Sequence, residues 1–141
     1  MRFLTMIVAL LAWATLAPAM ANGVMPANLD CTFSQGTTVS YAKGNYKSKP
    51  VTPLAIGIVE IDLTGQRAIL RNGTGRTTLR VVRAINANHF LEVVTEGFLN
   101  MTTIYDKDSA TGTYPAVHSR HFGLFGEPVI SQYYGFCKAA K

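Results

Sequence analysis

The stretch Ala55–Ile85 reads AIGIVEIDLTGQRAILRNGTGRTTLRVVRAI. Runs of β-branched and aliphatic residues are interrupted by Asp62-Leu63-Thr64-Gly65 and by Asn72-Gly73-Thr74-Gly75, two segments with turn chemistry. Links this short join antiparallel neighbours. The stretch therefore predicts three successive strands in hairpin order, and it carries no 3.6-residue apolar period that would favour a helix.

The same punctuation extends in both directions. Strands are expected at Leu29–Gln35, Thr37–Tyr41, Ala55–Ile61, Gln66–Arg71, Arg76–Ile85, Asn88–Glu96, Met101–Asp106, Ala116–Phe122 and Ser131–Cys137. Further turns are expected at Asn86-Ala87, Glu96-Gly97 and Asp108 to Gly112, and a loop over Ala42–Pro53, where Gly44, Pro50, Pro53 and three lysines gather. Strands spaced in this way suggest one all-β domain, a small antiparallel up-and-down β-barrel of about eight strands, with a β-sandwich as the alternative.

The chain has 141 residues, 48% hydrophobic and 15% charged, a composition that fits one folded domain and excludes intrinsic disorder. Residues 1–21 carry Arg2, an uncharged apolar run from Phe3 to about Leu16, Pro18, and the small-residue triplet Ala19-Met20-Ala21. This is the form of a secretory signal peptide cut after Ala21. The apolar run is shorter than the roughly 20 residues that a membrane-crossing helix needs. The expected mature domain, 22–141, has 12 basic residues against 8 acidic ones and no transmembrane segment. The expected location is the bacterial periplasm or the cell exterior.

Cys31 and Cys137 lie near the two ends of that domain, and export favours their oxidation. A bridge between them requires the first and last strands to be neighbours, which closes a meander into a barrel.

Register follows from turn lengths. Four-residue loops at Asp62–Gly65 and Asn72–Gly75, then a three-residue loop at Ile85–Ala87, set Glu60 opposite Arg67, Arg67 opposite Arg80 and Arg80 opposite Glu92. The other face then collects Gly57, Val59, Ala68, Leu70, Thr77, Leu79, Val93 and Thr95 as the interior. Ile56, Ile58, Ile69, Val82 and Phe90 fall outside, an apolar outer stripe that suggests a partner.

Arg67, Arg71, Arg76 and Arg80 form a basic hairpin face, a candidate site for an anion or partner. In this register Glu60, Glu92 and Glu96 neutralise much of it, and Arg71 opposite Arg76 has no obvious partner. His118 and Arg120 share one side of their strand and, with Tyr114, form a candidate polar pocket. His118 and His121 point to opposite sides, so with His89 they do not make a metal site. Asp106 to Gly112 reads as a turn with Asx bonds, since Ala110 occupies a position where calcium would need a ligand. No catalytic motif is present: there is no G-x-S-x-G, no H-E-x-x-H and no phosphate-binding glycine loop. Neither an enzyme, a cofactor nor a nucleic-acid partner is expected. Aromatics concentrate in the second half, and adjacent Tyr133 and Tyr134 must face opposite sides.

An exported barrel of about eight strands with stapled ends resembles the calycin group of small-ligand binders in architecture. The lipocalin Gly-x-Trp signature is missing, and the only tryptophan, Trp13, lies in the leader. Leu29-Asp30-Cys31, followed by Val39-Ser40-Tyr41 and a C-terminal Cys137, resembles the periplasmic inhibitors of c-type lysozyme. That family's Ser-Gly-x-x-Tyr segment has no convincing counterpart, so no functional residue is carried over. The expected function is binding of a protein or an anionic envelope component at the outer surface. The alternatives are a small apolar ligand inside the barrel and hydrolase inhibition of the lysozyme-inhibitor kind.

Overall fold

The computed structural model describes residues 24–95, 98–123 and 126–141. The expected leader and the Glu96-Gly97 turn lie outside these residues. The strands are β1 (Leu29–Ala42), β2 (Asn45–Pro50), β3 (Leu54–Asp62), β4 (Arg67–Asn72), β5 (Gly75–Arg83), β6 (Ala87–Thr95), β7 (Phe98–Tyr105), β8 (Tyr114–Phe122) and β9 (Val129–Ala139). They pair in the order β2-β1-β3-β4-β5-β6-β7-β8-β9, and β1 also pairs with β9. Eight strands therefore close into an antiparallel up-and-down barrel, and β2 is an extra strand outside it. The sandwich alternative is excluded.

Closure rests on β1. One of its edges pairs with β9 from Leu29 to Ser40, and the other is shared between β3, along Leu29–Phe33, and β2, along Thr37–Ala42. The expected break near Gly36 is instead a register shift between Phe33 and Gln35 within one strand. Glycine is required beside it: Gly36 has φ 148°, and a Cβ there would strike the Gln132 carbonyl oxygen. Cys31 and Cys137 face one another across β1 and β9 and form the disulfide.

Three sequence expectations need correction. The segment Ala42–Pro53 is not all loop, because Asn45–Pro50 forms the exposed strand β2. The turn before it has positive φ at both Lys43 (52°) and Gly44 (79°), the type I′ geometry that matches strand twist. Next, β3 is one residue out of the expected register. Gly57 pairs with Arg71 and Ile58 with Leu70, and a shift between Val59 and Asp62 sets Asp62, not Glu60, opposite Arg67. Glu60, at φ 53°, is the residue that absorbs the offset. Finally, Arg80 pairs with Leu91 rather than Glu92: Arg83 lies opposite Asn88 and Ala84 N donates to Ala87 O at 2.9 Å, so the turn before β6 is one residue tighter than expected. The β4–β5 register, Arg67 with Arg80 and Arg71 with Arg76, is as the turn length implies.

Each one-residue slip exchanges the faces of its strand. Ile56, Ile58 and Phe90, expected outside, are buried inside with Leu29, Phe33, Ala68, Leu70, Leu79, Val81 and Ile104. Of the expected outer stripe only Val82 is exposed and Ile69 half-buried. Glu92, expected as an exposed neutraliser of arginines, is 8% exposed.

Removing the bridge with Cys31→Ala and Cys137→Ala frees a loop spanning 106 residues. The expected cost is about 2–5 kcal/mol, read as a lower urea midpoint than that of the oxidised protein, which reducing agent reproduces in the parent chain.

Candidate functional site

The basic hairpin face is largely ion-paired. Arg67 Nε lies 3.7 Å from Asp62, Arg71 Nη2 donates to Asp30 Oδ1 at 2.9 Å, and Arg76 donates to Glu60. Exposed pairs of this kind contribute little stability, but they reduce the net charge offered to an anion. Arg71, which the expected register left without a partner, crosses β3 to reach Asp30 on β1. It can do so because Gly57 lies beneath it: a Cβ at that position would come within 3.0 Å of Arg71 Nε. Arg80 is exposed on the same outer face.

Asp30 stands at the edge of a cleft of about 710 Å³ on the outside of the barrel. Its floor is the outer face of β1 and β9, with Thr32, Phe136 and Lys138, and the β7–β8 connection contributes Thr111 and Thr113. Phe136 is 53% exposed. That connection is held in shape by Asp108, whose carboxylate accepts from Ala110 N and Thr111 Oγ1, both at 2.9 Å. These bonds, with the Ala110 amide foremost, lower the Asp108 pKa from its ordinary value. The expected Asx turn is present and forms one wall of the cleft. Residues of this cleft were missed as a site, although Cys137 facing inward already requires Phe136 and Lys138 to face outward.

The interior is layered. In one row Phe33, Asn88, Ile104, Ala116 and Gly135 are aligned, and in the next Phe90, Thr102, His118, Tyr133 and Gly36. A third row, toward the end of the barrel that carries the β8–β9 connection, is polar: Glu92, Asn100, Arg120, Ser131 and Thr38. Asn100 Nδ2 donates to Glu92 Oε2 at 2.8 Å, and the hydroxyls of Thr38 and Ser131 are 2.8 Å apart.

His118 and Arg120 do share the inward side of β8, as their spacing requires. Tyr114 faces inward too, but it lies opposite Cys137 near the other end, about 13 Å along the strand from His118. It does not join them in one pocket. Their aromatic neighbour is Tyr133, whose ring centroid is 5.8 Å from the His118 ring and 5.9 Å from Arg120 Cζ. His118 Nδ1 is bonded to Thr102 Oγ1 at 2.8 Å, while His118 Nε2 and Arg120 Nε are buried with no hydrogen-bond partner among the described residues. His121 is exposed and His89 Nδ1 is bonded to Thr103 Oγ1 at 2.9 Å, so the three histidines are not brought together.

No family model matches the chain, and searches of the curated proteins and of the solved structures return no significant match.

Burial first, and then the charge of Arg120, holds His118 at about 4 instead of its ordinary 6.5. The unfolded chain takes up this proton more readily than the folded one. Stability is therefore full above about pH 6.5 and falls by about 3 kcal/mol as the pH drops to about 4. Urea midpoints measured across that interval should show the loss, and His118→Gln should flatten it.

Proposed function

We propose that this protein is a non-catalytic binding module of the bacterial periplasm or cell exterior, and that it holds an anionic saccharide of the envelope in the outer cleft. The disulfide is consistent with an oxidising, exported environment. The observation that carries the reading is the cleft itself. It falls within the roughly 300–1,000 Å³ usual for ligand sites, and it offers an exposed aromatic ring among convergent polar groups. Phe136 provides a flat apolar surface for the face of a sugar ring. Lys138 and Lys141 provide positive charge for a carboxylate or phosphate, and the hydroxyls of Thr32, Thr111 and Thr113 are partners for sugar hydroxyls.

The outer surface supports this reading better than the apolar interior does. A ligand among the inner rows would have to displace Phe33, Ile58, Phe90 and Ile104, each buried to within 1% of full burial. The basic hairpin contributes indirectly, through the hold of Arg71 on Asp30. A second reading, a protein partner, draws on the outward residues of β9, where Ile130 and Tyr134 are exposed beside Phe136.

Titration calorimetry with an oligogalacturonate and with a neutral glucan of equal length tests the proposal. Binding of the acidic oligomer alone is expected, weakened at least about tenfold by Phe136→Ala or by Lys138→Ala. Equal binding of the two oligomers, or no binding of either, would overturn the anionic-saccharide reading. Loss of binding to a captured protein on Ile130→Ala, with saccharides inert, would favour the second.

A further inference from the structure

We propose that the polar end of the barrel interior is a second binding site, independent of the outer cleft, which takes the carboxylate of a small molecule between His118 Nε2 and Arg120 Nε. Alternation along β8 directs both side chains inward, and both lie against the ring of Tyr133. His118 is 2% exposed and Arg120 half-buried, so the pair runs from the sealed interior toward the end that carries the β8–β9 connection.

The two nitrogens call for an acceptor. The Arg120 Nε–H can only donate. When the Thr102 hydroxyl donates to His118 Nδ1, the neutral imidazole keeps its proton on Nε2 and presents a second donor. Buried polar nitrogens without partners are rare in folded proteins, and these two, on one side of β8 and both beside the Tyr133 ring, mark a place for an acceptor group. Water satisfies a donor but supplies no counter-charge. The inward carboxylate nearest in the polar row is Glu92, two strands away, and Asn100 stands between it and Arg120 and bonds to it. A carboxylate places one oxygen on each nitrogen and neutralises the guanidinium. Glu92 then limits the occupant to a single negative charge, because a second charge would be buried against its own. The row beneath is filled by the buried Phe90 and Tyr133, which bar a long chain from passing inward.

The test uses the intact oxidised protein and side-chain nitrogen NMR, with acetate and its neutral counterpart acetamide as probes. Acetate should shift the His118 Nε2 and Arg120 Nε signals together and saturably, while acetamide should shift neither. Arg120→Gln should weaken acetate binding at least about tenfold. Phe136→Ala, which disables only the outer cleft, should leave the acetate response unchanged. Equal responses to the two probes would overturn the assignment of a carboxylate. Exchange with water at both nitrogens and no response to acetate would show that water alone fills the place and would overturn the site. Neither result bears on the outer cleft, and the wild-type titration needs no variant to fold.

Discussion

Everything in this molecule depends on the pairing of β1 with β9. Eleven residue pairs join the two strands from Leu29 to Ser40, and the disulfide fastens the same ladder at Cys31 and Cys137. Without that pairing the remaining strands are an open meander with two unpaired edges, and the inward residues lose their opposite wall. His118, Tyr133 and Arg120 illustrate the dependence: each needs β9 and β1 in place to be enclosed. On the outside, the same two strands form the floor of the cleft.

The closure is asymmetric. Against eleven pairs with β9, β1 offers β3 only five, from Leu29 to Phe33, and gives the rest of that edge to β2. β2 is exposed along its whole length and carries Lys47, Lys49 and Pro50. Charges and a terminal proline are what keep an uncovered edge from recruiting another chain. The barrel is thus sealed by two different means: covalently and by a long ladder on one side of β1, and by a short ladder with a protected extension on the other.

Much of this architecture was legible in the residues. Turn chemistry at Asp62–Gly65 and Asn72–Gly75 located the central hairpins, and the positions of Cys31 and Cys137 required the chain to close on itself. That His118 and Arg120 share one side of β8 followed from alternation alone, and the structure shows that side to be the inner one. What was not legible was the face of β3 and β6. In Ala55–Ile61 both alternating sets are apolar, so Ile56 with Ile58 and Gly57 with Val59 are equally plausible interiors, and only a residue at positive φ, Glu60, decides. Likewise Glu92 suits an exposed ladder by charge, and its burial beside Asn100 depends on the length of the preceding turn. Strand-period reasoning has no means of detecting an extra residue that the backbone absorbs in a bulge. The cleft was invisible for a different reason: Asp30, Thr111 and Phe136 are remote in sequence, and Arg71 reaches Asp30 only across a glycine.

The wide separation of β1 and β9 along the chain also governs how the molecule comes into being. Neighbouring hairpins from β3 to β9 are local and can form as they are made, but the ladder that closes the barrel joins residues about a hundred positions apart. Contacts of such long range are entropically late and make folding slow. A polypeptide arranged in this way stays extensible until β9 has arrived beside β1. The same ladder sets Cys31 opposite Cys137, so seating the final strand and forming the bridge favour one another.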